Sequence, residues 1–245
     1  GKRCYVIGDV HGRLDLLESL LNQIEAHTAQ APPAETIVVL LGDLIDRGPD
    51  SAGVVKLART GVPFASKLVV LTGNHEDMLV RGLRGEYDLL SGWLAVGGDA
   101  CVRSYGGQVG GLLGLSTGEV AERLAQIIPP EDLAYMAGLP SSARFGDYLL
   151  VHAGIRPGVA LTQQTAHDMR WIREPFLSST RDHGCVVVHG HSVALEIEQR
   201  GNRIGIDTGA YQTDVLTALW IHEGQRGFLQ TSPQMVEERG KAPTA

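Results

Sequence analysis

The most regular feature of the chain is a short apolar run that ends in a polar turn, and it occurs three times. The runs cover residues 4–7, 37–41 and 68–71. Continuous apolar runs of four or five residues predict buried strands. Apolar residues at helical spacing follow each turn, which predicts helices over about 14–24, over 51–60 and from about Glu76 onward.

Strands that alternate with helices predict a sheet of parallel character that is covered on both faces. Ligands of such sheets bind beyond the carboxyl ends of the strands. Each of the three runs is followed there by glycine and then by a polar residue, namely Asp9, Asp43 or Asn74. We therefore expect these three side chains to meet at one edge of the sheet.

The second half of the chain has a different pattern. Residues 89–139 predict irregular helices and glycine-rich loops, an insertion that shapes the cleft, and Pro129-Pro130 opens one of its helices. From Arg144 onward, apolar runs predict a second, mixed sheet packed on the first, with strands at 148–151, 185–188, 195–198, 203–206, 216–221 and 227–230. Without a repeat or a linker, we expect an α/β protein with one domain over 1–231 and a flexible tail over 232–245.

The charge and hydrophobicity of the chain limit the kinds of molecule that it can bind. The formal net charge is −7, which argues against nucleic acid because its phosphate backbone selects basic surfaces. A phosphorylated substrate remains compatible, since bound divalent cations supply local positive charge. No apolar run approaches the length of a membrane span, so we expect no membrane partner. Nothing in the sequence fixes the oligomeric state.

The three cysteines and the first residues bear on location. Cys4, Cys101 and Cys185 are widely separated and form no CxxC pair, so neither a disulfide framework nor a thiolate zinc site is expected. Residues 1–3 lead directly into a strand and carry no signal-peptide pattern, although a segment preceding Gly1 could have been removed. We expect a cytoplasmic protein.

Three turn motifs carry candidate chemistry. GDVHG at 8–12 places a carboxylate and an imidazole two residues apart, and such ligands suit Zn, Mn or Fe. GDLIDRG at 42–48 adds Arg47, whose planar fork can hold a phosphoryl group. GNHE at 73–76 offers an amide oxygen and a histidine that can act as an acid. Read singly, each motif also fits a helix cap or, for Asp46 and Arg47, an ordinary ion pair.

Two later motifs, VHAG at 151–154 and HGHS at 189–192, place histidines after apolar runs. A lone histidine at a strand end is more often a structural residue than a ligand. Five strand ends that each carry a metal-type or acid–base residue are hard to assign to chance. Taken together, they indicate a metal-dependent active site.

These five blocks together resemble the phosphoprotein phosphatase family within the calcineurin-like metallophosphoesterases. Residues 170–174 (RWIRE) are similar to a Trp-x-Arg-Glu block of bacterial and phage members, and residues 206–210 (IDTGA) match a strand end of that subgroup. The resemblance covers about residues 3–222. It implies a metallo-dependent phosphatase fold, in which two mixed sheets pack as a sandwich between helices, in four layers.

The resemblance also implies a role for each block. Two divalent ions, for which we expect manganese with iron or zinc as alternatives, would be held by Asp9, His11, Asp43, Asn74, His152 and His191. Asp9 and His11 would bind the first ion and Asp43 would bridge. The substrate phosphoryl group would be bound by Arg47, Asn74 and Arg173, with Arg170 as an alternative for the last. His75, supported by Asp46, would protonate the leaving group.

The implied reaction is direct hydrolysis of a phosphomonoester. Two close cations lower the pKa of a bridging water, so that hydroxide can attack phosphorus in line, and no phosphoenzyme forms. The substrate would be a phosphorylated protein or peptide, or a small phosphoester, as in bacterial serine/threonine phosphatases. A dinucleoside-polyphosphate hydrolase of the same superfamily is the alternative, although those enzymes usually carry aspartate where this chain has Glu76. An inactive metal-binding scaffold is a remote alternative, because no expected position is lost.

Overall fold

The computed structural model describes residues 1–232, so the predicted tail lies almost wholly outside the described residues. The strands are β1 Lys2–Ile7, β2 Glu35–Leu40, β3 Lys67–Val70, β4 Ser142–Phe145, β5 Tyr148–Val151, β6 Val186–His189, β7 Glu198–Gln199, β8 Arg203–Gly205, β9 Thr217–His222 and β10 Gln225–Gln230. The α-helices are α1 Leu14–Gln30, α2 Ser51–Thr60, α3 Asn74–Leu83, α4 Asp88–Trp93, α5 Asp99–Ser104, α6 Thr117–Ile127, α7 Pro130–Ala137, α8 Ala166–Trp171 and α9 Ala210–Thr213.

The first sheet has the strand order β10-β9-β1-β2-β3. Its strands β1, β2 and β3 are parallel, with Ile7 paired to Leu40 and Leu40 to Val70. This register ends the three strands at one edge. The predicted parallel core of the sheet is confirmed, and it brings the three following turns side by side.

The second sheet has the order β4-β5-β6-β8-β7. Its central strands β5, β6 and β8 are parallel, while β4 and β7 are antiparallel edges. Leu150 pairs with Val188, so the segments that follow β5 and β6 also leave from one edge.

The sheets pack face to face through alternate residues of their strands, as the two-residue period of a strand requires. In β1, Cys4 and Val6 pack into the core between the sheets, whereas Tyr5 and Ile7 pack against the helical layer. All four side chains are fully buried, which explains why the strand is a continuous apolar run.

Helices cover the outer faces and complete the four predicted layers. The amphipathic helix α1 packs on the first sheet through Leu16, Leu17, Leu20, Leu21 and Ile24. The outer face of the second sheet carries a separate cluster that includes Ile172 and Phe176. The predicted sandwich of two mixed sheets is therefore confirmed, whereas the single domain over 1–231 stays a prediction.

Three predictions about the strands and helices need correction. The runs 216–221 and 227–230 form β9 and β10, which extend the first sheet and not the second, because β9 pairs antiparallel with β1. The run 195–198 forms a strand only at Glu198–Gln199, because the chain bends at residues 195–196. Helix α3 begins at Asn74, two residues before the predicted start.

The insertion consists of short helices, as predicted. Residues Leu94–Gly98 form a π-helical segment that Gly97, with φ of 118°, interrupts. All three cysteines are buried and free of disulfides. Among the described residues, no helix combines the length and the apolar character that crossing a membrane would require.

Candidate metal centre and active site

The predicted ligands converge where the carboxyl edges of the two sheets meet. Asp9, Asp43 and Asn74 follow the three parallel strands of the first sheet, while His152 and His191 follow β5 and β6. Two backbone contacts fix the geometry: His11 N donates to Asp43 O at 2.8 Å, and Gly190 N donates to His152 O at 2.8 Å. The six predicted ligands are all buried.

Asp43 lies between two groups of imidazoles. Its Oδ2 is 3.4 Å from His11 Nε2, and its Oδ1 is 3.4 Å from His152 Nε2. The potential ligand atoms of His11, Asp43 and His75 lie within 4.8 Å of one another, and those of Asp43, His152 and His191 form a second such group. Asp43 is shared by both groups, which is the position that a bridging ligand requires.

Asn74 stands at the centre of the second group. Its Oδ1 lies 2.9 Å from His152 Nε2 and 2.8 Å from His191 Nδ1. Asp9 lies beside this group, where its Oδ2 accepts the backbone N–H of His191 at 3.0 Å. The first group contains His75 where the resemblance predicted Asp9, so the assignment of Asp9 to the first ion stays a prediction.

Hydrogen bonds to backbone carbonyls orient two of the imidazoles. His11 Nδ1 lies 2.9 Å from Ile45 O, and His152 Nδ1 lies 3.1 Å from Leu41 O. Since a carbonyl only accepts, each Nδ1 carries the proton and each Nε2 presents its lone pair to the site. Such carbonyl partners are typical of metal-binding histidines.

The electrostatics favour neutral imidazoles. Burial lowers the pKa of His11 to about 3, although the Asp43 carboxylate opposes it. Burial, with the neighbouring His152, also lowers the pKa of His191 to about 3. Neutral imidazole is the form that binds a metal ion.

The donor set therefore fits divalent metal ions. His152 Nε2 directs a lone pair at the oxygens of Asn74 and Asp43, so three acceptor atoms face one another. A cation bound between them would remove this repulsion. Asp9 Oδ1 and His191 Nε2 are buried and have no hydrogen-bond partner among the described residues. Buried polar atoms are normally paired, so these two are available as ligand atoms.

The turns that carry the site hold unusual backbone conformations. Seven non-glycine residues within the described chain have positive φ, and five of these belong to the site. They are His11, Asp43, Asp46, Arg47 and His191. Left-handed backbone at non-glycine residues is uncommon and concentrates at functional sites.

Two glycines of the motifs are required by close approach. A Cβ atom at Gly73 would lie 2.1 Å from Asp43 Oδ1, and a Cβ atom at Gly190 would lie 1.9 Å from Asp9 Oδ1. Any larger residue would displace the carboxylate. This explains why glycine precedes Asn74 and His191.

Glu76 organises the turn that carries Asp43, a role that the sequence did not reveal. Its fully buried carboxylate accepts the backbone N–H groups of Asp43, Leu44 and Gly73 at 3.0, 2.8 and 2.8 Å. It also contacts Ile45 N at 3.3 Å. Only a side chain with two acceptor oxygens can satisfy so many converging donors.

His75 and Asp46 form a buried pair beside Asp43. His75 Nδ1 lies 2.6 Å from Asp46 Oδ2, and His75 Nε2 lies 3.8 Å from Asp43 Oδ2. Burial lowers the pKa of His75, but the two carboxylates outweigh it and raise the pKa above its ordinary value. The ion pair between Asp46 and Arg47 that the sequence left open is not formed; Asp46 is engaged by His75.

The structure distinguishes between Arg170 and Arg173, the two candidates for the second contact to the phosphoryl group. Arg170 Nη1 donates to Asp77 at 2.7 Å and its Nη2 to Ser141 at 2.9 Å, away from the ligands. Arg173 is exposed, and its Nη2 lies 3.5 Å from the carbonyl oxygen of His191. Arg173 is therefore the better placed of the two.

Two further residues border the site. Asp207 is buried next to Asp9, and burial raises its pKa to about 6; its position after β8 was the signal in the sequence. Tyr211 lies over Arg47 and against His11, and no sequence pattern indicated it. His189, in the HGHS motif, contacts the buried Arg203 at 3.1 Å.

The four-layer sandwich thus carries buried carboxylate and imidazole donors, suited to divalent metal ions, at the shared edge of its sheets. The chain belongs to the calcineurin-like phosphoesterase family, whose profile matches residues 2–214. Members of this family use a dinuclear metal centre.

Individual relatives differ in their named activity. The chain is 28% identical over 216 residues to serine/threonine-protein phosphatase 1 of Salmonella typhimurium, covering 85% of this chain and 87% of the relative. It is 26% identical over 252 aligned positions to an asymmetrical bis(5'-nucleosyl)-tetraphosphatase of Halalkalibacterium halodurans, covering 96% of each. The crystal structure of a putative diadenosine tetraphosphatase superposes with a TM-score of 0.66 at 22% identity, covering 95% of each chain.

Proposed function

We propose that the protein is a serine/threonine-type phosphoprotein phosphatase that hydrolyses phosphomonoesters at a dinuclear metal centre. The observation that supports this function most is the buried pair of His75 and Asp46. The pair places a proton donor within 3.8 Å of Asp43, the proposed bridging ligand.

The value of a proton donor depends on the leaving group. A serine or threonine alkoxide is strongly basic and needs a proton as the P–O bond breaks. A nucleotide phosphate, the leaving group of a dinucleoside polyphosphate, is far less basic and departs with little assistance. An imidazolium held by a carboxylate at this point therefore favours alkyl phosphomonoesters.

The ligands divide into two overlapping sets. Asp9 and His11 would hold one ion. The other would be held by Asn74, His152 and His191, and Asp43 would contact both. When bound, the two ions, for which we propose manganese, activate a water and neutralise the phosphoryl oxygens.

The protein's own groups then bind and orient the substrate. Arg47 Nη2 lies 3.3 Å from His75 Nε2, and Arg173 Nη2 lies 3.5 Å from His191 O. Their planar guanidinium groups can each bind two phosphoryl oxygens. The Asn74 amide is a further contact for the phosphoryl group. His75, held by Asp46, delivers its proton from Nε2 to the leaving oxygen.

A dinucleoside-polyphosphate hydrolase is the second candidate. It is favoured by the tetraphosphatase relative that spans 96% of each chain and by the superposed structure. Glu76 opposes it, because the resemblance implies that such hydrolases usually carry aspartate at this position.

A substrate panel with manganese-reconstituted protein tests the proposal. It should contain a phosphoserine peptide, a phosphothreonine peptide and diadenosine tetraphosphate, with released phosphate and nucleotides measured separately. We expect the phosphopeptides to be hydrolysed with the higher kcat/KM. A strong preference for the dinucleotide would overturn the proposal, and inactivity on all substrates would support the scaffold alternative.

A further inference from the structure

Tyr211 occupies a distinctive position at the border of the site. It lies in α9, which follows Asp207 and Gly209. Its ring centroid is 4.4 Å from the guanidinium carbon of Arg47, within the range of a cation–π contact. Its ring also meets that of His11 edge-to-face, with centroids 5.3 Å apart. One aromatic ring thus contacts both a proposed phosphate clamp and a proposed metal ligand.

Arg47 is held from several sides. Its backbone N–H donates to Gly97 O at 3.0 Å, and its Nε to Val96 O at 3.3 Å. The guanidinium carbon lies over the Tyr211 ring. The Nη2 atom lies 3.3 Å from His75 Nε2, so the end of the fork reaches the reaction centre. A flexible arginine that is fixed in this way loses less entropy when it binds phosphate.

A second arginine holds the helix that carries Tyr211. Arg13 Nη1 donates to the carbonyl oxygen of Ala210 at 3.0 Å and to the Asp214 carboxylate at 2.5 Å. Arg13 is buried and follows the His11-Gly12 turn. The same turn therefore positions a metal ligand and, through Arg13, the residues on both sides of Tyr211.

The hydroxyl group of Tyr211 takes no part in this arrangement. It accepts a hydrogen bond from the exposed Gln212 Nε2 at 2.8 Å. The contacts to Arg47 and His11 are made by the ring. A phenylalanine at this position would keep them, whereas an aliphatic side chain would not.

We infer that Tyr211 is a positioning residue, whose ring holds the Arg47 guanidinium in the orientation that binds the phosphoryl group. The inference deepens the proposed function, because it rests on Arg47 as a phosphate clamp. It predicts an effect on phosphoryl binding, with little effect on the turnover of bound substrate, since a clamp that contacts substrate and transition state alike changes KM more than kcat.

The test compares variants by calorimetric binding of inorganic phosphate to manganese-loaded protein and by kinetics with p-nitrophenyl phosphate. Tyr211→Leu and Tyr211→Met should each raise the phosphate Kd and the KM roughly 3- to 10-fold, with kcat within about twofold. Tyr211→Phe should restore wild-type binding. Tyr87→Leu, at an exposed tyrosine outside the site, is the matched control and should change neither constant.

A double-mutant cycle shows whether the ring acts through Arg47. In an Arg47→Ala background, Tyr211→Leu should cause no further loss of phosphate affinity. Equal and additive losses in both backgrounds would overturn the inference, as would a Tyr211→Phe variant as weak as Tyr211→Leu. Metal content and melting temperature, measured on every variant, identify any that fail to fold or load.

The test of Tyr211 can succeed or fail independently of the test of the proposed function. If the wild-type protein prefers a dinucleotide, the proposed function fails. The phosphate-binding comparison still tests Tyr211, because inorganic phosphate probes the clamp whatever the leaving group is.

Discussion

His75 Nδ1 lies 2.6 Å from Asp46 Oδ2, and both side chains are buried. This contact fixes the imidazole so that Nε2 faces the reaction centre. In the proposed mechanism, it prepares His75 to give a proton to the leaving oxygen.

His75→Asn should therefore impair substrates according to their leaving group. We expect kcat on a phosphoserine peptide to fall about 10²- to 10⁴-fold, and kcat on p-nitrophenyl phosphate to fall much less, because nitrophenolate departs unprotonated. Steady-state kinetics on both substrates measure the difference. Equal losses would remove His75 from the role of acid.

Asp43→Asn tests the bridge between the two groups of ligands. An amide offers one neutral oxygen where the carboxylate offers two charged ones, so we expect activity to vanish and the occupancy of both metals to fall. Elemental analysis after dialysis gives the metal content per chain. Loss of a single equivalent would contradict the bridging role, and Asp147→Asn, at an exposed position outside the site, is the matched control.

Glu76→Gln tests the support of the Asp43 turn. The new amide would direct N–H donors at backbone N–H groups that are now satisfied, and an unsatisfied buried donor costs about 1–3 kcal/mol. We expect urea unfolding to show at least that loss of stability, together with weaker metal binding. Glu122→Gln, at an exposed helical position, should change neither quantity; unchanged stability in Glu76→Gln would refute the supporting role.

Arg170 and Arg173 should give opposite results. Arg173→Ala is expected to raise KM roughly tenfold without loss of stability, because it removes one charged contact to the phosphoryl group. Arg170→Ala leaves the buried Asp77 with fewer partners and should lower stability by about 1–3 kcal/mol, with KM nearly unchanged. The reverse pattern would make Arg170 the clamp.

Asp77 predicts a dependence of stability on pH. Burial raises the pKa of Asp77, but hydrogen bonds from Trp171, Arg81 and Arg170 together lower it by more. The net shift of the pKa is therefore downward. A depressed pKa contributes stability above the unfolded value of about 3.9 and loses it as the pH falls through the folded value. Wild type should therefore be more stable than Asp77→Asn at pH 7, and the difference should shrink below about pH 4. A constant difference in urea unfolding from pH 7 to pH 3 would contradict this.

The ligands at the strand ends could be predicted because the signal for each lies in a few neighbouring residues of the sequence. Asp9, Asp43 and Asn74 each follow an apolar run and a glycine, and the parallel arrangement of such runs brings them to one edge. The sheet to which β9 belongs could not be predicted in this way. A run such as 216–221 indicates a strand but not its neighbour, and pairing with β1 depends on the tertiary fold.

Other parts of the site depend on contacts that no local pattern encodes. Glu76 is close to its partners only because the Asp43 turn folds over α3. Tyr211 meets Arg47 because Arg13 holds α9 from a turn nearly 200 residues away in sequence. The choice between Arg170 and Arg173 required the position of Asp77, which the sequence could not supply.

Competition between two substrates measures whether the protein prefers a phosphoserine peptide to a dinucleoside polyphosphate. Manganese-reconstituted protein is given equal concentrations of a phosphoserine peptide and diadenosine tetraphosphate in one vessel, and the initial rates give the ratio of their kcat/KM values. The proposed function predicts that the phosphopeptide is consumed faster and that His75→Asn lowers this ratio. Faster consumption of the dinucleotide, with a ratio that His75→Asn leaves unchanged, would contradict it.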